Sequence, residues 1–263
     1  MRRLFPLILV ASSLLACHSE RERVLSRSDA LPSASAAARP SAVLAEELHL
    51  DVLPPVTVER VAVVKDSPAS VVRAPRGSTA RIVFMPGLCS NAYAYLLAFP
   101  ETARTHGGVV AIDGDAPCGA ADSGFHSFTW SATLQKSRID AALAAASANA
   151  PSDGFTLVGY SAGASIAQMV HERWPKVFPR LVIIAPPEDP TVERLTKARG
   201  VVSMSCRFDV PYRMKDATNR LNAKGIPAIY LEMPGCTHGN IADGERVFTE
   251  AFEWLDGAPI SEP

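Results

Sequence analysis

The chain has 263 residues, 48% of them hydrophobic and 20% charged. That composition excludes wholesale disorder and supplies a core for one large domain or two small ones. With 26 Lys+Arg against 27 Asp+Glu, the formal charge is -1, which offers no electrostatic footprint for nucleic acid. The five cysteines are too few for a small disulfide scaffold, and their odd number needs a reason.

The N-terminus reads as an address. Arg2 and Arg3 precede a mostly apolar run from Leu4 to Leu15, the length of a signal-peptide core and short for a bilayer span. Leu14-Leu15-Ala16-Cys17 resembles a bacterial lipobox. The resemblance implies a signal peptide over residues 1–16, cut before Cys17, and a diacylglyceryl group on the Cys17 thiol. The plainer alternative is an ordinary secretory signal with a chance cysteine. A lipidated Cys17 would anchor the protein to a membrane without a transmembrane helix, in the bacterial cell envelope at the periplasmic face or the cell surface. Residues 17–45 are rich in Ser, Ala, Arg and Pro and read as a flexible tether. Without residues 1–16, which hold two arginines and no acids, the formal charge becomes -3. No later stretch is long and apolar enough to span a bilayer.

Residues 46–263 read as one folded domain in which strands and helices alternate. Val56 to Val64 alternates polar and apolar residues, as a half-buried strand does. Ser70 to Arg73 is a shorter strand candidate. Arg81 to Met85 is a compact apolar run stopped by Pro86-Gly87, the signature of a buried strand. Ala92 to Thr105 is expected to be helical, and Val109 to Ile112 to be another buried strand. Ser131 to Ala150 is rich in Ala, the best helix former. Strands are then expected at Phe155–Val158, Leu181–Ala185, Val201–Ser205 and Ala228–Met233. Helices are expected between and after them, at Ala162–Arg173, Thr191–Ala198, Met214–Lys224 and Ile241–Leu255. Repeated units of this length predict an α/β fold with a mostly parallel central sheet and helices on both faces. Such sheets place ligand sites beyond the carboxyl ends of their strands.

Gly159-Tyr160-Ser161-Ala162-Gly163 is a G-x-S-x-G motif between a strand and a helix. A sharp turn there would strain the serine, push its hydroxyl outward and leave room for neighbouring backbone. The helix that follows would aim its N-terminus at developing negative charge. The bland alternative is a tight turn with a capping serine.

With this motif in this setting, residues 56–255 resemble the α/β-hydrolase family. The resemblance implies the α/β-hydrolase fold and the chain order nucleophile, acid, histidine. His238 lies after the last strand and before the last helix. It would activate Ser161, because a serine hydroxyl needs a base and imidazole titrates near neutral pH. Of the other histidines, His126 lies in a loop at the same sheet edge and is the rival. His18 and His49 fall in or near the tether, His106 ends a helix at the opposite edge, and His171 lies well along the helix after Ser161. Asp209 follows the Val201 strand and precedes His238 by 29 residues, room for one helix and one strand. It would hold the imidazole tautomer; Glu188 or Asp189, one strand earlier, is the rival acid. After the Arg81 strand, Met85-Pro86-Gly87-Leu88-Cys89-Ser90 occupies the loop in which the family often carries His-Gly. Pro86 replaces that His. The Leu88 N–H with the Ala162 N–H would still form an oxyanion hole.

Setting Cys17 aside, four cysteines remain, and an oxidising compartment favours their pairing in one of three ways. The fold implied by the resemblance makes the Arg81 and Val109 strands neighbours, and likewise the Val201 and Ala228 strands. It therefore implies Cys89–Cys118 and Cys206–Cys236, each closing a loop worth roughly 3–4 kcal/mol in the chain-entropy model. The second bridge would hold Asp209 and His238 in register. Only about five residues, 186–190, part the Leu181 strand from the next helix, so little or no cap domain is expected. Phe125, Phe128, Trp130, Tyr160, Phe208 and Tyr212 are candidates for an apolar acyl pocket, although lone aromatics more often serve plain packing. No cysteine or histidine cluster has metal-ligand spacing, and Asp113-Gly114-Asp115 reads as turn chemistry. The expected function is an exported, lipid-anchored serine hydrolase acting on a small-molecule acyl substrate, with no cofactor and no metal. A peptidase or amidase on the same triad and a catalytically silent binding lipoprotein stay open, and the sequence sets no oligomeric state.

Overall fold

The computed structural model describes residues 54–75, 80–119 and 124–257. The expected signal peptide, the tether and Cys17 lie outside the described residues.

The strands are β1 (Glu59–Val61), β2 (Ala69–Val72), β3 (Ile82–Met85), β4 (Val109–Ala111), β5 (Ala116–Pro117), β6 (His126–Ser127), β7 (Thr156–Tyr160), β8 (Arg180–Ile184), β9 (Gly200–Cys206) and β10 (Ala228–Met233). The helices are α1 (Ala92–Leu96), α2 (Pro100–Thr105), α3 (Ala132–Ala145), α4 (Ala162–Arg173), α5 (Val192–Leu195), α6 (Pro211–Ala223) and α7 (Gly244–Gly257). Eight strands form one sheet in the order β1-β2-β4-β3-β7-β8-β9-β10. It is parallel from β4 to β10, and β1 and β2 pair antiparallel at one edge.

The parallel strands are buried on both sides, which explains their unbroken apolar runs. Side chains alternate along β3. Ile82 and Phe84 pack with α1, α2 and α7, through Leu96, Phe99 and Phe248. Val83 and Met85 face the opposite way, toward Ile139 of α3 and Ile166 of α4. Further along the sheet, Leu181 and Ile183 of β8 pack under Leu195 of α5 and Met214 of α6. Every strand–helix crossover therefore returns the chain to the same end of the sheet, and the loops after β3, β7, β9 and β10 gather there.

Three features depart from the sequence expectations. The Val56–Val64 alternation yields only the three residues of β1, because its single partner β2 is itself short. The helix expected over Ala92–Thr105 is two helices, broken where Phe99 leaves helical geometry ahead of Pro100. A two-stranded ribbon of β5 and β6, with His126 opposite Pro117, was not expected from strands this short. Asp113 and Asp115 anchor that region. Asp113 accepts the Ala92 N–H at 2.6 Å, and Asp115 accepts the Thr129 N–H and the Gln135 amide at 2.9 and 2.8 Å.

His171 sits fully buried in α4 and donates from Nδ1 to the Phe178 carbonyl at 2.7 Å. Burial holds its pKa below the ordinary histidine value, although the Phe178 bond acts the other way. Below about pH 6.5 the unfolded chain therefore binds a proton that the folded chain resists. Stability is full above that pH and falls as pH drops through the depressed folded value. His171→Leu should lose less stability than the wild type between pH 7.5 and pH 5. Denaturant melts across that range check this, and parallel curves would refute it.

Candidate active site

Ser161 joins β7 to α4 with φ 51° and ψ -118°, a region that non-glycine residues occupy only under constraint. The constraint is visible in the two glycines around it. A Cβ at Gly159 would sit 2.5 Å from Ala164 Cα, and one at Gly163 would overlap the carbonyl oxygens of Met85 and Pro86. The first turn of α4 therefore lies against the end of β3, which only glycine permits. Hydrogen bonds from Ser161 N–H to Ile184 O at 2.8 Å, and from Ala164 N–H to Ser161 O at 2.9 Å, fix the turn.

The hydroxyl so presented meets His238. His238 Nε2 lies 2.9 Å from Ser161 Oγ, and His238 Nδ1 lies 2.7 Å from Asp209 Oδ2. The Asp209 side chain is 10% exposed and that of His238 48%, so the carboxylate is sheltered while the imidazole faces the solvent side. Two of the rivals are engaged elsewhere. Asp189 pairs with Arg213 and Arg220, and His126 is held in the β5–β6 ribbon with its N–H on Ser90 O.

Both bridges join the loops in question. Cys89 and Cys118 are bonded, as are Cys206 and Cys236, with Cα–Cα distances of 5.4 and 5.0 Å. Cys206 ends β9 three residues before Asp209, and Cys236 precedes His238 by two. Two backbone bonds, Arg207 N–H to Met233 O and Phe208 N–H to Cys236 O, continue the β9–β10 pairing into the same loops. Leu88 lies in the loop whose Gly87 approaches Ser161: a Cβ at Gly87 would stand 3.3 Å from Ser161 Cβ. Ala162 opens α4.

Tyr160 follows the packing alternative. It is not a pocket wall but a fully buried residue, because its position at the end of β7 faces the α1–α7 side of the sheet. Its ring packs between Tyr95 and His238, with centroids 5.0 and 5.5 Å away. Its hydroxyl accepts the Gly239 N–H at 2.8 Å and donates to Asn240 O at 3.4 Å. Burial pushes its pKa up to about 12, so it stays a neutral donor and acceptor. Phe128 is likewise core, whereas Phe125, Trp130, Phe208 and Tyr212 are exposed. Nothing in the sequence marks the Tyr160 hydroxyl contacts, since the variable position of G-x-S-x-G carries no polarity rule.

No protein-family model and no curated protein matches the chain. Solved structures do share its architecture. The fluorophosphonate-binding serine hydrolase F of Staphylococcus aureus aligns at TM-score 0.55 and 10% identity, over 76% of this chain and 98% of that one. A Pyrobaculum calidifontis esterase aligns at 0.53 and 13%, over 79% and 86%. An S-formylglutathione hydrolase from Agrobacterium tumefaciens aligns at 0.52 and 14%, over 77% and 94%. This is the α/β-hydrolase fold. In it, seven residues (185–191) separate β8 from α5, so the α/β-hydrolase core carries little or no cap at that point.

Tyr160→Phe removes one oxygen and leaves the Gly239 N–H without its partner. Loosening of the His238 loop should lower kcat by about 10- to 100-fold, the scale of a misplacement near 1 Å, with KM moving far less. Steady-state kinetics beside a thermal melt test this. A fall in thermal stability with kcat intact would assign Tyr160 to the core alone.

Proposed function

We propose that this protein is an exported serine hydrolase that cleaves ester-type acyl substrates through an acyl-enzyme. The observation that carries the reading is the hydrogen-bonded series Asp209, His238, Ser161, at 2.7 and 2.9 Å, on a strained strand–helix turn. In this reading Ser161 Oγ attacks the carbonyl carbon as His238 Nε2 takes its proton. Asp209 accepts the Nδ1 hydrogen, fixes the tautomer and stabilises the imidazolium. The carbonyl oxygen gains negative charge and receives the N–H groups of Leu88 and Ala162; one such donor is worth roughly a hundred- to a thousandfold in rate. His238 then returns the proton to the leaving oxygen, which departs as an alcohol. A water that gives a proton to His238 attacks the acyl-enzyme; His238 passes that proton to Ser161 Oγ as its ester bond breaks, and the carboxylic acid is released. The chemistry needs no cofactor. The esterases and hydrolases that share the fold support a hydrolytic reading.

Export is supported by the two disulfides, which persist in oxidising compartments. Among the described residues no helix is long and apolar enough to cross a membrane. Attachment is assigned to a lipid on Cys17, at the head of the tether.

Two experiments test this function. A fluorophosphonate probe should label the wild type, and Ser161→Ala should abolish labelling and lower ester hydrolysis by roughly 10⁴-fold or more. An unlabelled wild type, or equal labelling of the variant, overturns the enzyme reading. Separately, Cys17→Ser should end incorporation of radiolabelled fatty acid and release the protein from membranes. Membrane retention of that variant counts against the anchor and leaves the hydrolase reading standing.

A further inference from the structure

A cavity of about 370 Å³ lies between α1 and the loop that follows His238. One wall is Gly239, Asn240 and Ile241; the other is the segment from Cys89 to Ala98, with Phe125 at the rim. Both walls start beside the reacting atoms. Gly239 adjoins His238, whose Nε2 is 2.9 Å from Ser161 Oγ. Cys89 follows the Gly87-Leu88 turn, which packs against Ser161. Behind the cavity, the Tyr95 ring packs at a tilt against Tyr160, the residue before Ser161.

The wall chemistry is selective. Among the described residues, none that lines the cavity is Asp, Glu, Lys, Arg or His. The polar side chains among them are neutral: Ser90 Oγ, the Tyr95 phenol, the Asn240 amide, and the Asn91 amide, which is taken up by Gly124 O and the Ala94 N–H. Ser90 donates to Gly87 O at 2.6 Å and keeps its lone pairs as acceptors. Burial raises the Tyr95 pKa against an opposing contact from Ser90, so the phenol keeps its proton. The exposed Asn240 amide makes only two side-chain bonds among the described residues, both at 3.5 Å within its own loop. A charged group placed here would lose water with no counter-charge to replace it. The volume is at the small end of the range for ligand sites, about 300–1,000 Å³.

We infer that this cavity is the leaving-group subsite and takes a short, uncharged, hydroxyl-bearing alcohol limb. The inference rests on the hydrolase reading above and names its substrate class: esters of small polyols such as glycerol. The side is set by His238. Its Nε2 delivers the proton to the leaving oxygen, so the limb bearing that oxygen lies against the loop that carries His238. Asn240 and Tyr95 replace the water around the limb's hydroxyls, and Ala94 leaves the space that the limb fills.

The test compares three butyrate esters, differing only in alcohol, on the full-length protein: methyl, 1-glyceryl and n-octyl. The glyceryl ester should have the highest kcat/KM. Ala94→Trp, which fills the cavity, and Asn240→Ala, which removes the amide, should each lower the glyceryl-to-methyl ratio of kcat/KM by about tenfold, the scale of one lost packing or polar contact. Fluorophosphonate labelling of each variant at Ser161 shows that it is folded. A ratio that does not move in labelled variants, or a wild type that prefers the octyl ester, overturns the subsite while the hydrolase reading survives. A wild type that is not labelled overturns both.

Discussion

The backbone of α4 meets the end of β3 closely enough that the Cβ of any residue at Gly163 would overlap two carbonyl oxygens. That approach determines the geometry of the site. It forces the chain to turn within one residue, and Ser161 takes up the turn at positive φ. Such a conformation costs on the order of 1–3 kcal/mol and persists only where the surroundings over-determine it. Here they do, because the Ser161 N–H is bonded to the β8 carbonyl of Ile184 and both helix and strand are buried. The same approach brings the loop after β3 beside Ser161, so one close contact places Ser161 and the neighbouring main chain together.

The other half of the site depends on register. β9 and β10 pair in parallel with Cys206 opposite Met233. A slip of one residue would move Asp209 by about 3.3 Å relative to the loop that carries His238. A misplacement of about 1 Å already matters for such a constellation. The Cys206–Cys236 bridge and the two backbone bonds beyond the strand ends make that slip impossible without breaking covalent structure. Tyr160 then ties the His238 loop back to the β7 strand that presents Ser161. Asp209, His238 and Ser161, which follow three separate strands, are thus tied together near the sheet edge.

Much of this was legible in the sequence because it follows from local signals. Apolar runs with Gly or Pro behind them mark buried strands, and β3, β7, β8, β9 and β10 lie within two residues of their expected limits at each end. The G-x-S-x-G motif and its flanking strand and helix located the turn. Chain order under the family resemblance singled out Asp209 and His238, and the structure brings both to Ser161. What escaped notice depends on long-range contact. Tyr160 reads as an aromatic that could line a pocket, and only the packing of α1 and the His238 loop turns its ring inward. The β5–β6 ribbon is too short for a periodic signal. The break at Pro100 was available from the proline itself, and the apolar pattern on both sides of it obscured it.

His238 is half-exposed, and the connection from β8 to α5 is short. Water competes for hydrogen bonds in such a place, so the bonds between Ser161, His238 and Asp209 cannot by themselves hold the three groups in line. Alignment has to come from contacts that water cannot reach or replace. The structure provides two kinds: a disulfide between the acid and base loops, whose two cysteines are buried, and a tyrosine hydroxyl under the histidine loop, whose pKa of about 12 keeps its proton in place. The first kind links chemistry to place. A bridge that aligns the Asp209 loop with the His238 loop persists only under oxidising conditions, so in the export reading the compartment decides where the site becomes complete.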